Sequence, residues 1–459
     1  METDTLPPVH FVGIGGVGMS AIAAVMLEMG YVVSGSDIRA THRIDRLGRA
    51  GARVGIGHAP EHLDGARTVV YNTAIPESNC ELVLARRRGL RVLHRAEMLA
   101  ELTAGKHRIA VAGTHGKTTT SAMLSVIFTE AGLSPTFIVG GDIKQFGVNG
   151  RLGRGEHAIF EACESDGSFL HFLPCSQVIT NIEAEHLDVH GTMAELVDQF
   201  RRFMGGAARD GFLVGCADCP NVSALMASLD RPCITYGLSD GAQFSATELS
   251  LNGQRSSFEL LREGEPLGRI ELCVPGRHNV LNALAAVAAS SACGVDLEQV
   301  RTSLAGFAGA VRRFDVIDEV DGILIVDDYG HHPTEIACTL EAARSGFPGR
   351  RIIAVFQPHL YSRTKLFLSR FADVLSLADH VIVTDIYAAR EAPPGNVSGE
   401  DLWRALRQQA PAVPAEYIPH NEDVAARLRE LARPGDMVMT VGAGDIREVA
   451  QQLAGRLEA

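Results

Sequence analysis

The chain has 459 residues, enough for two to four domains that each bury a hydrophobic core. Hydrophobic residues make up 46% of it and charged residues 21%, which is an ordinary balance for an α/β protein. The formal net charge of −13 argues against general nucleic-acid binding and against anionic membrane surfaces.

Neither a membrane-spanning segment nor a secretory signal is predicted. No stretch reaches the roughly 18 apolar residues that a membrane helix needs. The first residues, METDTLPP, are polar and acidic, without the apolar core of a signal peptide. The nine cysteines are odd in number, and several lie within apolar runs, which fits reduced thiols. We therefore expect a cytoplasmic protein that does not insert into a membrane.

Residues 1 to 104 alternate strand and helix patterns, which predicts a Rossmann-like domain with a parallel sheet. The predicted strands are residues 9–12, 31–34, 52–56, 68–71 and 91–93. After the first strand, Gly13, Gly15 and Gly18 fit the pattern G-x-G-x-x-G. Asp37 follows about 20 residues on, where a ribose-binding acid lies in dinucleotide enzymes. Alone, this spacing predicts NAD, but the same geometry serves any ligand with a pyrophosphate and a ribose.

The stretch IAVAGTHGKTTT, residues 109 to 120, predicts a phosphate-binding loop in a second domain. Its apolar half is typical of a short buried strand, and its glycines precede a helix start. Backbone N–H groups there attract phosphate, Lys117 would reach the β- and γ-phosphates, and the Thr118 hydroxyl would hold Mg²⁺. Val111 stands where a standard Walker A motif has glycine, so this loop is a separate form. A second phosphate site favours a nucleotide-diphosphate substrate over NAD at the first loop.

Acidic residues follow the next predicted strands of this domain, residues 157–160 and 176–180. The segments EACESD and NIEAEHLD carry Glu161, Glu164, Asp166, Glu185, His186 and Asp188. Ligands in open α/β sheets bind beyond the carboxyl ends of strands, and carboxylates near a triphosphate indicate Mg²⁺. Alternatively, some of these residues are helix caps or solvated loop charges.

Short strands and hairpins are predicted between residues 211 and 275, as an antiparallel flank of the second domain. A helix then begins near Asn279. Asn282 lies three residues further on, near the same helix face, so the two amides could contact a base. Capping of the helix is the alternative role for Asn279.

The last part of the chain again alternates strands and helices in a doubly wound pattern. Its predicted strands are residues 323–327, 351–356, 380–384 and 437–441. Two strand ends are rich in polar residues, DDYGHHPTE and FQPHLYSRT, and they carry His331, His332, His359 and Arg363. Histidines beside aspartates can bind zinc. Phosphate, carboxylate or ribose contacts are the more common use beside an ATP-binding domain.

Together these motifs resemble the Mur ligase family, ATP-dependent amide-forming ligases of peptidoglycan synthesis. The resemblance covers essentially the whole chain and rests on GIGGVGMS, SGSD, GTHGKTTT, EACESD, NIEAEHLD, PGRHNVLNA, RRF, DDYGHHPTE, FQPHLYSRT, YAAREAP and GAGDI, in the family's order. It is greatest to the branch that adds L-alanine to UDP-N-acetylmuramate. The implied fold is α/β with three domains: a Rossmann-like domain at residues 1–104, a P-loop ATPase domain at 105–311 and a Rossmann-like domain at 312–459.

The resemblance also implies roles for individual residues. The UDP part of UDP-N-acetylmuramate would bind Gly13, Gly15, Gly16, Gly18, Met19, Ser20 and Asp37. ATP would bind Gly113, Thr114, His115, Gly116, Lys117, Thr118, Thr119, His278, Asn282, Arg313 and Asp328. Two Mg²⁺ ions, for which Mn²⁺ can substitute, would be held by Thr118, Glu161 and His186. L-Alanine would bind Tyr329, His331 and Arg363, and the catalytic residues would be Lys117, His186 and Arg363.

The chain departs from the family's usual pattern at several positions. Ala184 and Glu185 stand where relatives usually have Pro-Asp before the metal-binding histidine. Asn72 and Thr73 replace a usual pair of serines near the uridine. Leu360 replaces an arginine that relatives often carry near the amino-acid pocket.

Three other functions are compatible with parts of the sequence. A peptide-recycling ligase of the same family joins a tripeptide to the same sugar nucleotide and would need a wider pocket. A nicotinamide oxidoreductase would use the first glycine loop and leave the phosphate loop unexplained. A non-catalytic nucleotide sensor would bind ATP without substrate-dependent hydrolysis. No nucleic-acid partner is expected, and the sequence does not indicate an oligomeric state.

Overall fold

The computed structural model describes residues 6–172, 174–389, 391–393 and 395–455. The side chains of Leu187 and Asp188 are also outside the description, so the candidate carboxylate of Asp188 is not placed. No helix in the described part of the chain is long and apolar enough to cross a membrane.

The chain forms two compact units, which hold three sheets between them. The first unit runs to Ser245 and adds Leu261–Leu267 and Asn282–Leu304. The second consists of Ala246–Leu260, Gly268–Leu281 and the chain from Ala305 onward. The first unit contains the first sheet and most of the central sheet, so the division into compact units does not follow the predicted domain boundaries, which remain a prediction.

The first sheet has five parallel strands in the order β3-β2-β1-β4-β5. Its elements are β1 Val9–Val12, α1 Val17–Glu28, β2 Val33–Asp37, α2 His42–Arg49, β3 Arg53–Ile56, β4 Thr68–Tyr71, α3 Cys80–Arg87, β5 Arg91–His94 and α4 Arg95–Leu102. The strand order reverses between β1 and β4. In open α/β sheets a ligand crevice forms at such a reversal, and the first glycine loop follows β1 there.

The central sheet is built around β6, which lies between β10 and β9. The elements are β6 His107–Ala112, α5 Lys117–Glu130, β7 Thr136–Ile143, β8 Val148–Arg151, β9 His157–Glu161, β10 Ser176–Ile179, α6 Leu187–His190, α7 Met193–Gly205, β11 Leu213–Cys216, α8 Pro220–Ala227, β12 Ile234–Gly237, β13 Phe244–Asn252, β14 Arg255–Arg262, β15 Glu265–Leu272, α9 Arg277–Ala292 and α10 Leu297–Ala305. The residues of β13, β14, β15 and α9 are divided between the two units.

The predicted antiparallel flank is partly wrong. β10, β11, β12 and the start of β13 pair in parallel, so they continue the central sheet. The helices α7 and α8 make the crossover connections that parallel neighbours require. The apolar runs GFLVGC and CITYGL look the same in either pairing, so their sequence does not specify the direction.

The second unit holds a six-stranded sheet in the order β16-β17-β21-β18-β19-β20. Its elements are β16 Asp315–Val320, β17 Ile323–Asp328, α11 Pro333–Gly346, β18 Ile352–Phe356, α12 Tyr361–Leu366, α13 Leu368–Leu375, β19 His380–Val383, α14 Gly399–Gln409, β20 Ala415–Tyr417, α15 Asn421–Leu431, β21 Met437–Val441 and α16 Arg447–Leu453. Only the edge strand β16 pairs antiparallel, and the other neighbours are parallel. The predicted doubly wound α/β arrangement is confirmed.

Within the first unit, helix α1 packs directly on the antiparallel hairpin β7–β8. A methyl group at Gly150 would meet the carbonyl oxygen of Ala21 at 2.5 Å, so the two backbones are in close contact. Asn149 Nδ2 donates to the carbonyl oxygen of Val17 at 2.7 Å. One cluster of buried hydrophobic residues includes members of both sheets of the unit. The hairpin therefore joins the first sheet to the central sheet.

Candidate active site

The first glycine loop turns sharply after β1. Gly13 has a φ of +80°, in the region that favours glycine. The N–H of Gly15 donates to Asp37 Oδ2 at 2.9 Å, and a methyl group at Gly15 would meet the same oxygen at 2.9 Å. Asp37, the predicted ribose ligand, thus also fixes the shape of the loop.

Helix α1 begins just after this loop with an open N-terminus. Gly16 is its N-cap residue, and no side chain caps the helix, so its first N–H groups face an anion-binding position. Met19 and Ser20 are buried in the core, and Ser20 Oγ donates to a backbone carbonyl within the helix. Of these two predicted ligands, Met19 could contact a diphosphate only through its backbone N–H. The backbone N–H of Ser20 donates to the carbonyl of Gly16 at 2.8 Å, so it is already used within the helix.

Arg95 is a basic residue near this loop that sequence reasoning missed. It is the first residue of α4, and its NH1 lies 3.4 Å from the position a methyl group on Gly18 would take. A guanidinium in this place suits a diphosphate. The sequence offered only an arginine following a strand, which is too common to single out.

The phosphate loop has two glycines that the geometry requires. Gly113 has a φ of +133°, and a side chain there would collide with Thr180 Oγ1. Gly116, with a φ of +81°, is the N-cap of α5, and a side chain there would collide with Asn282 Oδ1. Asn282, a predicted ATP ligand, therefore lies against the loop, and it also accepts a hydrogen bond from Thr120 Oγ1 at 3.3 Å.

Asn181, which follows β10, holds the phosphate loop and was not among the predicted residues. Its side-chain oxygen accepts from the N–H of His115 at 2.8 Å, and its carbonyl accepts from the N–H of Thr114 at 2.8 Å. Thr180 Oγ1 donates to the carbonyl of His115 at 2.6 Å. These bonds fix the loop backbone, and Thr119, the remaining predicted loop residue, is buried.

Lys117 is buried and forms an ion pair with Glu164. Lys117 Nζ lies 3.0 Å from Glu164 Oε2 and also donates to the carbonyl of Thr114 at 3.0 Å. Burial alone would lower the pKa of Lys117, but the carboxylates of Glu164 and Glu161 raise it above its usual value. The ammonium therefore stays charged and is held at the loop, where it can meet a phosphate.

Thr118 and Glu161 place two oxygen atoms side by side. Thr118 Oγ1 donates to Glu161 Oε2 at 2.8 Å, and the N–H of Gly140 donates to the same oxygen at 3.0 Å. A hydroxyl and a carboxylate at the start of α5 are ligands that Mg²⁺ prefers. The oxygen atoms of Thr118 and Glu161 thus fit the predicted Mg²⁺. Gly140 lies directly against these two side chains.

We expect Gly140→Ala to reduce activity more than tenfold without unfolding the chain. The added methyl group would collide with Glu161 Oε2 and lie 2.8 Å from Thr118 Oγ1, so both oxygens would have to move. Steady-state rates as a function of Mg²⁺ concentration test this, with the melting temperature as the fold control. Gly48→Ala is the matched variant, because a methyl group there meets nothing within 4 Å. An unchanged Mg²⁺ dependence would contradict the placement of the site.

His186, the third predicted metal ligand, lies in a strained backbone position. Its φ is +54°, which is uncommon for a residue other than glycine. Its Nε2 lies 3.8 Å from Oε1 of Glu185, which is buried. Thus the carboxylate of Glu185 faces the ring of the histidine that it precedes.

In the second unit, Asp328 and His278 have strongly shifted pKa values. Asp328 accepts from the N–H groups of Phe314 and Gly330, both at 2.8 Å. Burial raises the pKa of Asp328 to about 6, although Arg313 opposes the shift. Burial, helped by Arg313, lowers the pKa of His278 to about 4. His278 is therefore neutral at pH 7 and can accept a hydrogen bond.

Tyr329 lies beneath two arginines of the second unit. The guanidinium carbons of Arg312 and Arg313 lie 4.8 and 5.4 Å from the centroid of its ring. Arg313 NH1 also lies 3.4 Å from Glu335 Oε1. The tyrosine ring thus packs under positive charge, in the geometry of a cation–π contact.

Arg363 and two histidines form a cluster in the same unit. The side chain of Arg363 is buried, and its NH1 lies 3.0 Å from His359 Nδ1. The rings of His331 and His359 are 6.0 Å apart. Burial lowers the pKa of His331 well below its usual value, and Arg363 adds to the shift. His332 caps helix α11 instead, where its Nδ1 accepts from the N–H of Thr334 at 3.3 Å.

The phosphate loop combines three features: a helix N-terminus without a side-chain cap, a buried lysine, and a hydroxyl beside a carboxylate. This combination is typical of α/β proteins that bind a nucleoside triphosphate with Mg²⁺. Sequence comparison with family models gives three matches in chain order. These are the "Mur ligase family, catalytic domain" at residues 8–107, the "Mur ligase middle domain" at 111–290 and the "Mur ligase, glutamate ligase domain" at 312–444. The chain belongs to the Mur ligase family, whose members use ATP and typically Mg²⁺.

Two similar curated proteins share one name. The chain is 46% identical over 441 residues to a UDP-N-acetylmuramate–L-alanine ligase of Solidesulfovibrio magneticus, covering 96% of each chain. It is 44% identical over 450 residues to the ligase of the same name from Syntrophotalea carbinolica, covering 98% of each.

Solved structures confirm the predicted three-domain α/β fold. A UDP-N-acetylmuramate–alanine ligase from Thermotoga maritima is 29% identical with a TM-score of 0.85, covering 98% of each chain. A murein peptide ligase from Psychrobacter arcticus is 25% identical with a TM-score of 0.74, covering 99% of this chain and 100% of that one.

Proposed function

We propose that the chain joins L-alanine to the carboxylate of UDP-N-acetylmuramate at the expense of ATP, giving ADP and phosphate, in peptidoglycan precursor synthesis. The observation that carries this proposal is the 46% identity, over 96% of both chains, to a ligase of that name. The buried Lys117–Glu164 pair at a glycine-lined helix start supports the use of ATP. A cytoplasmic location suits such substrates and the free cysteines.

The proposal assigns the three predicted domains to three ligands. Residues 1–104 bind the UDP-sugar, residues 105–311 bind ATP, and residues 312–459 bind the amino acid. The residues for each ligand are those that the family resemblance implies, with Arg95 added for the diphosphate. Support for this addition is the closeness of its guanidinium to Gly18.

The first chemical step must bring two anions together. A carboxylate oxygen of the sugar attacks the γ-phosphorus, and the bond from that phosphorus to the β-phosphate oxygen breaks. The products of this step are ADP and an acyl phosphate of the sugar. Lys117 offsets the negative charge at this point. One Mg²⁺ held by Thr118 and a second held by Glu161 and His186 would lower that charge further, and Mn²⁺ can take their place.

The second step forms the amide. The neutral amine attacks the acyl carbon, and the carbon–oxygen bond to phosphate breaks as phosphate leaves. Arg363 is buried and positively charged, which suits the carboxylate of the amino acid. The neutral His331 beside it can accept a hydrogen bond without repelling the ammonium form. The amine gives up one proton as the amide forms.

Phosphate release tests the proposed function directly. With UDP-N-acetylmuramate, ATP and Mg²⁺, we expect L-alanine to give the highest kcat/KM among single amino acids. Glycine and L-serine should follow within roughly 10- to 200-fold, because one small group is worth only about 1–3 kcal/mol in a pocket.

The alternatives give different outcomes in the same assay. Faster release with the tripeptide than with L-alanine would make the chain a recycling ligase. An absorbance change at 340 nm with a nicotinamide cofactor would favour an oxidoreductase. ATP binding without any substrate-dependent phosphate release would indicate a nucleotide sensor.

A further inference from the structure

The segment of residues 161–168, which begins at the last residue of β9, contacts both proposed nucleotide sites of the first unit. Glu161 accepts from Thr118 Oγ1, and Glu164 pairs with Lys117, so its first half lies at the phosphate loop. Two residues beyond Glu164, Asp166 contacts the edge of the first sheet. One short stretch of backbone therefore connects the two glycine loops.

Asp166 lies in a polar cluster with residues at the carboxyl ends of strands β4 and β5. Its Oδ2 accepts from Thr73 Oγ1 at 2.6 Å and lies 3.6 Å from His94 Nε2 and 3.9 Å from Arg95 NH2. Its Oδ1 accepts from the N–H of Ser168 at 3.0 Å, which starts the following turn. Burial opposes ionisation of Asp166, but these donors lower its pKa, so the carboxylate is charged.

Arg95 therefore has two possible anionic partners. One end of its guanidinium faces Asp166, and NH1 lies close to Gly18 of the first glycine loop. A diphosphate at that loop would draw Arg95 away from Asp166. Lys117 is in the same situation at the other end of the segment, because a bound triphosphate would draw it away from Glu164.

We propose that Asp166 is a positioning residue that couples UDP-sugar binding at the first loop to ATP binding at the phosphate loop. This rests on the proposed function. Each ligand removes one of the two cations that hold segment 161–168 in place. The second ligand then draws its cation from a segment that the first ligand has already loosened. The first ligand therefore tightens binding of the second, and the coupling is positive. Coupling of this kind is reciprocal, because it is a difference of binding free energies.

Isothermal titration of the whole chain tests the coupling. The probe is the non-hydrolysable ATP analogue AMP-PNP with Mg²⁺, titrated with and without UDP-N-acetylmuramate. In the unchanged protein we expect the sugar nucleotide to tighten AMP-PNP binding about 5- to 150-fold, and AMP-PNP to tighten sugar-nucleotide binding by the same factor.

Asp166→Asn should bring this factor close to one. Asparagine keeps the oxygen that accepts from Ser168 but loses the charge that holds Arg95. We also expect it to bind UDP-N-acetylmuramate alone at least as tightly as the unchanged protein, since Arg95 is released. A merely structural role would instead weaken both ligands and leave the factor unchanged. Thr73→Val removes the hydroxyl that donates to Asp166, so it should lower the factor. Thr73→Ser keeps a hydroxyl and should preserve the factor.

Asp198→Asn is the matched control, because Asp198 is exposed and pairs only with neighbouring Arg201 among the contacts described for it. The coupling is overturned if Asp166→Asn keeps the full factor, if the control loses it equally, or if the unchanged protein shows none. Failure of the unchanged protein to bind UDP-N-acetylmuramate at all would overturn the proposed function as well. This binding is measured before any variant is made, so the two failures can be told apart.

Discussion

Lys117→Ala is expected to slow ADP formation on the order of 1000-fold while UDP-N-acetylmuramate still binds. The ammonium is buried at the phosphate loop, where the pKa shift keeps it charged. Removing one such contact to a transferring phosphoryl group typically costs about 3–4 kcal/mol of barrier. The first glycine loop uses other residues, so binding of the sugar nucleotide should persist. Turnover within tenfold of the unchanged enzyme would refute the ATP role of this loop.

The same substitution also leaves Glu164 buried without its cation. Breaking a buried pair from one side commonly costs about 3–5 kcal/mol of stability, so loss of activity could reflect unfolding. The double variant Lys117→Met with Glu164→Gln removes both charges and should restore the melting temperature but not the activity. Lys365→Ala is the control for loss of a lysine, since Lys365 is exposed.

Arg363→Ala is expected to raise the KM for L-alanine on the order of 100-fold and to change the KM for ATP less than threefold. Arg363 is buried in the second unit beside His359. Truncating one partner of a buried charge pair typically costs 2 kcal/mol or more. Initial rates with each substrate varied in turn separate the two constants.

Two further variants qualify this result. Arg363→Lys keeps the charge and should recover part of the affinity, although it loses the planar fork that suits a carboxylate. Arg370→Ala removes an exposed arginine of the same region and should change neither constant. An equal rise in both KM values for Arg363→Ala would remove the carboxylate-binding role.

The glycine loops and most strands could be predicted because their sequence patterns are local. The apolar runs at residues 9–12, 68–71 and 437–441 have the same bounds in the structure. The hairpin β7–β8 was not predicted, since GGDIKQFGVNG has no strong alternation and forms strands by packing against α1. Such pairing is a tertiary property.

Site residues were predicted where a motif marks them and missed where only folding brings them together. Arg95, Asn181 and the role of Asp166 depend on contacts across the first unit. Asp166 was a candidate near Mg²⁺, and its carboxylate contacts Thr73, which follows β4 of the first sheet. The resemblance marked Leu360 only as a position where relatives often carry an arginine. In the structure Leu360 is buried and has a φ of +69°, a strained conformation that no sequence pattern indicates.

The contact of Asn282 with the phosphate loop has a consequence for synthesis of the chain. Asn282 bonds to Thr120, 162 residues earlier, and lies against Gly116. At about 5–20 residues per second, a ribosome needs roughly 8–30 seconds to cover that distance. During this time the nascent loop lacks the residue that packs against it. ATP can therefore stabilise the completed chain as a ligand, but we expect it to give little protection to a nascent chain stalled before residue 282.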